Sequence, residues 1–143
     1  MSTATAQSPH FIGQVTCTTS ITAGLQCSGK AAGLGNDPTA AFLTASSIDA
    51  EYVCTNRGGN VAPGQGTETQ NVVGPVQNIN PRNGQITFRN VTLPVPEAPS
   101  AADVCPNANW RVHLLHVTFN DVELHIQQEG TDILVKPLGD FSI

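Results

Sequence analysis

Nowhere in this chain do apolar side chains recur at i, i+3, i+4 and i+7 over about a dozen residues without a Gly, a Pro or a β-branched residue breaking the pattern. An amphipathic helix buries itself through that stripe, so helices cannot organise the core and strands must. Short runs rich in Thr, Val and Ile, punctuated by Gly, Pro and Asn, fit that expectation.

The punctuation predicts strands over residues 11–21, 25–34, 39–45 and 48–55, a long loop over 56–66, and strands over 72–79 and 85–95. Asn83-Gly84 is the strongest short-range hairpin signal, because both residue types tolerate the positive φ of a type I′ turn. Pro94, Pro96 and Pro99 break the ladder and predict an extended connector to Cys105. Strands over 110–119 and 122–128 follow, with Asn120-Asp121 read as the turn between them, then a strand over 131–136 and a tail over 137–143. Eight or nine strands without covering helices predict an all-β antiparallel sandwich, immunoglobulin-like first and jelly roll second. No repeat or linker divides the chain, so residues 11–143 are expected to form one domain behind a flexible segment, 1–10.

Four cysteines, Cys17, Cys27, Cys54 and Cys105, allow three pairings. None are spaced as CxxC and no His lies close to any of them, which argues against zinc or a redox pair; free buried thiols are the remaining alternative to disulfides. Cys17 and Cys27 flank a plausible turn at Ser20 to Gly24 that would bring them face to face, so the expected pairs are Cys17–Cys27 and Cys54–Cys105. Two disulfides point to an oxidising compartment. The first ten residues lack the basic start and apolar stretch of a signal peptide, so Met1 is read as a start codon placed on a mature secreted or cell-surface sequence.

Only 12 % of residues are charged, about half the usual share, and the six basic residues stand singly in a chain of net charge −5. No patch can neutralise several phosphates, so nucleic acid is not an expected partner. No apolar run of 18 residues or more exists, so membrane insertion by a helix is not expected.

Several patterns resemble sites and read better as structure. Gly24 to Lys30 has GxxxxGK spacing, but Ala31 stands where a phosphate loop needs Ser or Thr, and no helix follows. Gly33-Leu34-Gly35 reads as a turn. Strict alternation places His113 and His116 on opposite faces, where they share an ion only if a bulge intervenes. Asp121, Glu123, His125 and Gln127 alternate with Val122, Leu124 and Ile126, as on any half-exposed strand. No catalytic or cofactor signature is complete, so the expectation is a protein without enzymatic activity or cofactor. Asn90-Val91-Thr92 is a glycosylation sequon, meaningful in a eukaryotic secretory host.

Two features bear on partners. Asn56, Arg57 and Asn60, with Trp110, could form a sugar platform of aromatic face and amide donors once Cys54 pairs with Cys105; the plainer reading puts Trp110 in the core beside that bridge. Phe11, Ile12 and Val15 near one end, and Leu138, Phe141 and Ile143 at the other, lie on weakly charged segments that could add as strands to a second copy.

Three segments together, Gly33-Leu34-Gly35-Asn36, the run from Cys54 to Gln65, and Cys105-Pro106-Asn107-Ala108-Asn109-Trp110, resemble a family of small exported proteins common in actinobacteria, in which GLGN, CTNxGGN-PGQ and CPNxxW motifs recur in this order. The resemblance covers about residues 25–130. It implies an exported β-sandwich and a Cys54–Cys105 pair, and it assigns no activity. The expected role is an extracellular structural or interaction module, a self-assembling subunit among the options. A carbohydrate- or ligand-binding module is the alternative, and a hydrolase stands behind both.

Overall fold

The computed structural model describes residues 8–143; of the segment 1–10, residues 1–7 lie outside the described residues. Among the described residues nine strands form two antiparallel sheets: β1 (His10–Ser20), β2 (Gly24–Ala32), β3 (Thr39–Thr55), β4 (Val61–Pro63), β5 (Thr67–Val73), β6 (Gln77–Ile79), β7 (Ile86–Leu93), β8 (Arg111–Gln128) and β9 (Thr131–Ser142). One sheet runs β1-β2-β7. In the other, β3, β8 and β9 lie side by side, while β4, β5 and β6 share the far edge of β3. Strands one, two and seven facing three, eight and nine is the A-B-E against C-F-G arrangement of an immunoglobulin-like sandwich, so the jelly-roll alternative falls away. Leu25, Phe88, Val91 and Leu93 from the first sheet pack on Leu43, Ile48, Phe119, Leu124 and Ile126 from the second.

Fewer, longer strands replace several of the expected ones. Residues 39–45 and 48–55 fuse into β3, and 110–119 and 122–128 fuse into β8. The Ser-Ser and Asn-Asp signals mark a kink that crosses the sheet in place of turns. Inward positions shift phase there, from Ala41, Leu43 and Ala45 to Ile48 and Ala50, and from Val117 and Phe119 to Val122 and Leu124. Asp121 takes φ 50°, and the strand continues past it. Side chains stitch the kink: Ser46 Oγ donates to the Asn120 carbonyl at 3.2 Å, Asn120 Nδ2 to Asp49 Oδ2 at 2.9 Å, and the Asp121 amide to Asp140 Oδ1 at 2.8 Å. Turn chemistry is thus spent inside strands, where Asn and Asp adopt the left-handed region and Ser and Asn bond locally.

The remaining departures are local. Residues 72–79 divide into the ends of β5 and β6, and β4 forms within the expected loop 56–66. The proline-rich connector carries one helical turn, α1 (Ala101–Val104), at a Ser-x-x-Asp start where Ser100 Oγ donates to Asp103 Oδ2 at 2.9 Å. Asn83 and Gly84 do adopt positive φ, 53° and 73°, with Arg82 and Gln85 exchanging backbone bonds. That turn carries the chain from one sheet to the other, because β6 pairs with β3 and β7 with β2. In the Gly33-Leu34-Gly35-Asn36 turn, two left-handed glycines insert a fully buried Leu34, whose carbonyl accepts from Gln128 Nε2 at 2.7 Å.

The stretch 137–143, read as a tail after the strand 131–136, instead extends that strand to complete β9. Leu138, Phe141 and Ile143 pack against the core, as do Phe11 and Val15, while Ile12 is exposed. Both terminal strands are sheet edges, and both are irregular: the β1 register shifts between Ile12 and Thr16, and β9 carries Lys136, Pro137 and a shift at Gly139. The free edge of β7 is covered by a side chain. Gln77 donates to the Arg89 carbonyl at 2.8 Å and accepts from the Arg89 amide at 3.3 Å, imitating a paired strand.

Both disulfides form, Cys17–Cys27 across directly opposed residues of β1 and β2, and Cys54–Cys105 from β3 to the connector. They close loops with sequence separations of 10 and 51. Loss of unfolded-chain entropy makes the longer one worth about 4 kcal/mol and the shorter about 3. Urea denaturation of the two Cys→Ser double variants should therefore show the larger loss for Cys54/Cys105. Native protein that takes up four alkyl groups without reductant would contradict both bridges.

Candidate functional site

Where the β3–β8 ladder ends, Thr55 pairs with Arg111, and the chain leaves on both sides into loops. The loop after β3 folds tightly on itself. Asn56 Oδ1 accepts from the Asn60 amide at 3.0 Å, and the Asn56 carbonyl accepts from the Gly59 amide at 3.1 Å. On the other side, Asn107 Oδ1 accepts from the Asn109 amide at 2.9 Å, turning the chain into Trp110. Cys54–Cys105 ties the two segments together at their roots. Between them lies a groove of about 970 Å³ lined by Thr55, Asn56, Arg57, Gly58, Ala108, Asn109, Trp110 and Arg111.

Asn56, Arg57 and Trp110 therefore meet on one concave surface, as the disulfide pairing implied. Asn60 does not line it; its amide braces the loop through Asn56. Trp110 is half-buried and lies outside the core cluster, so its expected place in the core is corrected. Tyr52, 3 % exposed, occupies the interior of β3 two residues before Cys54. Asn109 and Arg111 are groove residues that sequence reasoning missed. Their signal was adjacency to Trp110 on one side and, for Arg111, the ladder partner of Thr55 on the other.

Thr55 is held from outside the groove, its Oγ1 lying 2.8 Å from His113 Nε2. A bulge does intervene between His113 and His116. Tyr52 pairs with Leu114 and Glu51 with His116, leaving Leu115 as an extra, exposed residue. Both histidines consequently face outward on the same side, correcting the alternation, yet among the described residues no three His, Cys, Asp or Glu side chains are placed to hold a metal. His125 is similarly occupied. Its ring stacks on Phe42 at 5.0 Å, Nδ1 lies 3.2 Å from the Asp132 carboxylate and Nε2 lies 2.8 Å from Thr44 Oγ1. The face expected to be merely solvated is a clamp between β3, β8 and β9. Gly24 to Lys30, the phosphate-loop look-alike, is simply β2.

No family model matches this chain, and no curated protein or solved structure is significantly similar to it, so the groove's chemistry rests on its own residues. Two guanidinium groups, an indole and two carboxamides surround it, and among the described residues no acid lines it. Trp110 is the chain's one tryptophan and reports on the groove directly. Iodide should quench its fluorescence readily and caesium should quench it less, because Arg57 and Arg111 concentrate anions beside the indole. Equal, weak quenching by both ions would return Trp110 to the core.

Proposed function

We propose that this protein is a non-enzymatic interaction module, secreted or held at a cell surface, that binds a saccharide-type ligand in the groove between the loop after β3 and the segment before β8. The observation that carries this is the convergence of Trp110 with the Asn56 and Asn109 amides and two arginines on one concavity, walled by segments a disulfide ties together. Sugars present apolar C–H faces and a rim of hydroxyls, matching an indole flanked by amide and guanidinium donors. The two disulfides and the sparse charge support an extracytoplasmic setting. A glycan array probed with the intact protein tests the reading. Binding that is lost in Trp110→Ala supports it, and an array that stays blank at high protein concentration overturns it.

Self-association through β1 and β9 is the second reading. It is favoured by the exposure of Ile12 and Val135 on the two terminal edge strands, which adjoin where Lys136 Nζ lies 5.8 Å from the Phe11 ring. The bulges and Pro137 weigh against it, since irregular edges resist strand addition. Truncating residues 137–143 would remove core contacts, so the cleaner test is sedimentation of the full chain against Ile12→Lys. Monomers throughout a wide concentration range would overturn this second reading.

A further inference from the structure

We infer that the groove selects a carboxylate-bearing saccharide, a uronic-acid sugar, over its neutral counterpart. The inference rests on reading the groove as a saccharide site and adds the charge of its ligand.

The chain has eleven acids and six bases. Two of those six bases, Arg57 and Arg111, face one groove in which no acid appears. In so acidic a protein a nearby carboxylate would be easily supplied, yet the ion pairs among the described residues all involve His125. Both arginines are exposed, so no burial requirement explains their shared position. A guanidinium offers a planar fork of donors that matches a carboxylate in two parallel bonds.

Placement strengthens the case. Arg111 stands on the last pair of a long ladder, opposite Thr55, and Arg57 sits on a loop closed by its own backbone bonds. Both backbones are thus set before a ligand arrives, which lowers the ordering cost of binding. Trp110 lies next to Arg111 in sequence and shares the groove, so a ring stacked on the indole would carry its carboxylate into guanidinium reach.

Surrounding charge narrows the class further. Two cations match single, spaced carboxylates better than a densely sulfated or phosphorylated chain, whose crowded charges they could not neutralise. An oligosaccharide with one carboxylate per ring is the better fit.

Isothermal titration with tetragalacturonate, with the same oligomer after carboxyl reduction, and with a short polyglutamate peptide tests the inference. The acid oligomer should bind about tenfold or more tightly than its reduced form. Arg57→Gln and Arg111→Gln should each weaken binding of the acid oligomer more than binding of the reduced one, removing most of the ratio between them while leaving the melting temperature unchanged. Equal affinity for acid and reduced forms, or arginine variants that leave the acid preference intact, would overturn the uronate assignment and leave the saccharide groove standing. Polyglutamate binding as tightly as the uronate would overturn it in favour of an acidic-peptide site. Failure of all three probes, with the glycan array also blank, would overturn both readings together.

Discussion

Everything in this fold leans on the ladder between β3 and β8. It joins Thr39 to Gln128 at one end and Thr55 to Arg111 at the other, and every other strand of its sheet is hung on one of these two. Long antiparallel ladders twist, and a straight ribbon of this length would drift away from the three-stranded sheet it must cover. The kink at Ser46-Ser47 and Asn120-Asp121 resolves that conflict. By shifting the inward phase on both strands together, it keeps Leu43 and Leu124 on the core side of it and Ile48 and Phe119 on the core side beyond it. The groove inherits its geometry from the same ladder, since its two walls are the ladder's departing ends, bound again by Cys54–Cys105.

Much of this was legible in the residues. Missing helical periodicity, alternating Thr and Val and frequent turn residues led to a sandwich, and the short separation across Ser20 to Gly24 led to the Cys17–Cys27 pair. Illegible were the places where turn residues sit inside strands. Asn120-Asp121 and a true chain-reversing turn such as Asn83-Gly84 carry the same local preference for positive φ. Only the ladder partner on β3, continuous through Ser46 and Ser47, decides that the former keeps going. Leu115 shows the same limit, because a bulge has no composition of its own, and one extra residue moved His116 to the face of His113. The groove was half legible. Asn56, Arg57 and Trp110 could be gathered by pairing two cysteines, whereas Arg111 required the register, and Asn60 proved to brace the loop from behind.

The two chain ends respond differently to mechanical load. Tension on the amino-terminal side can peel β1 from β2 only as far as Cys17, where the covalent link to Cys27 halts the tear and passes the force into the sheet's central strand. At the carboxyl-terminal end nothing covalent intervenes, so β9 can unzip from β8 one bond at a time, beginning at the Ile143 contact with Val117. The segment between Cys54 and Cys105 bears no extension at all, because the bridge short-circuits it. A module tethered by both ends would therefore lengthen from its carboxyl side first, with the groove residues Asn56 and Arg57 kept inside the shielded loop while Arg111, just beyond Cys105, stays in the loaded path.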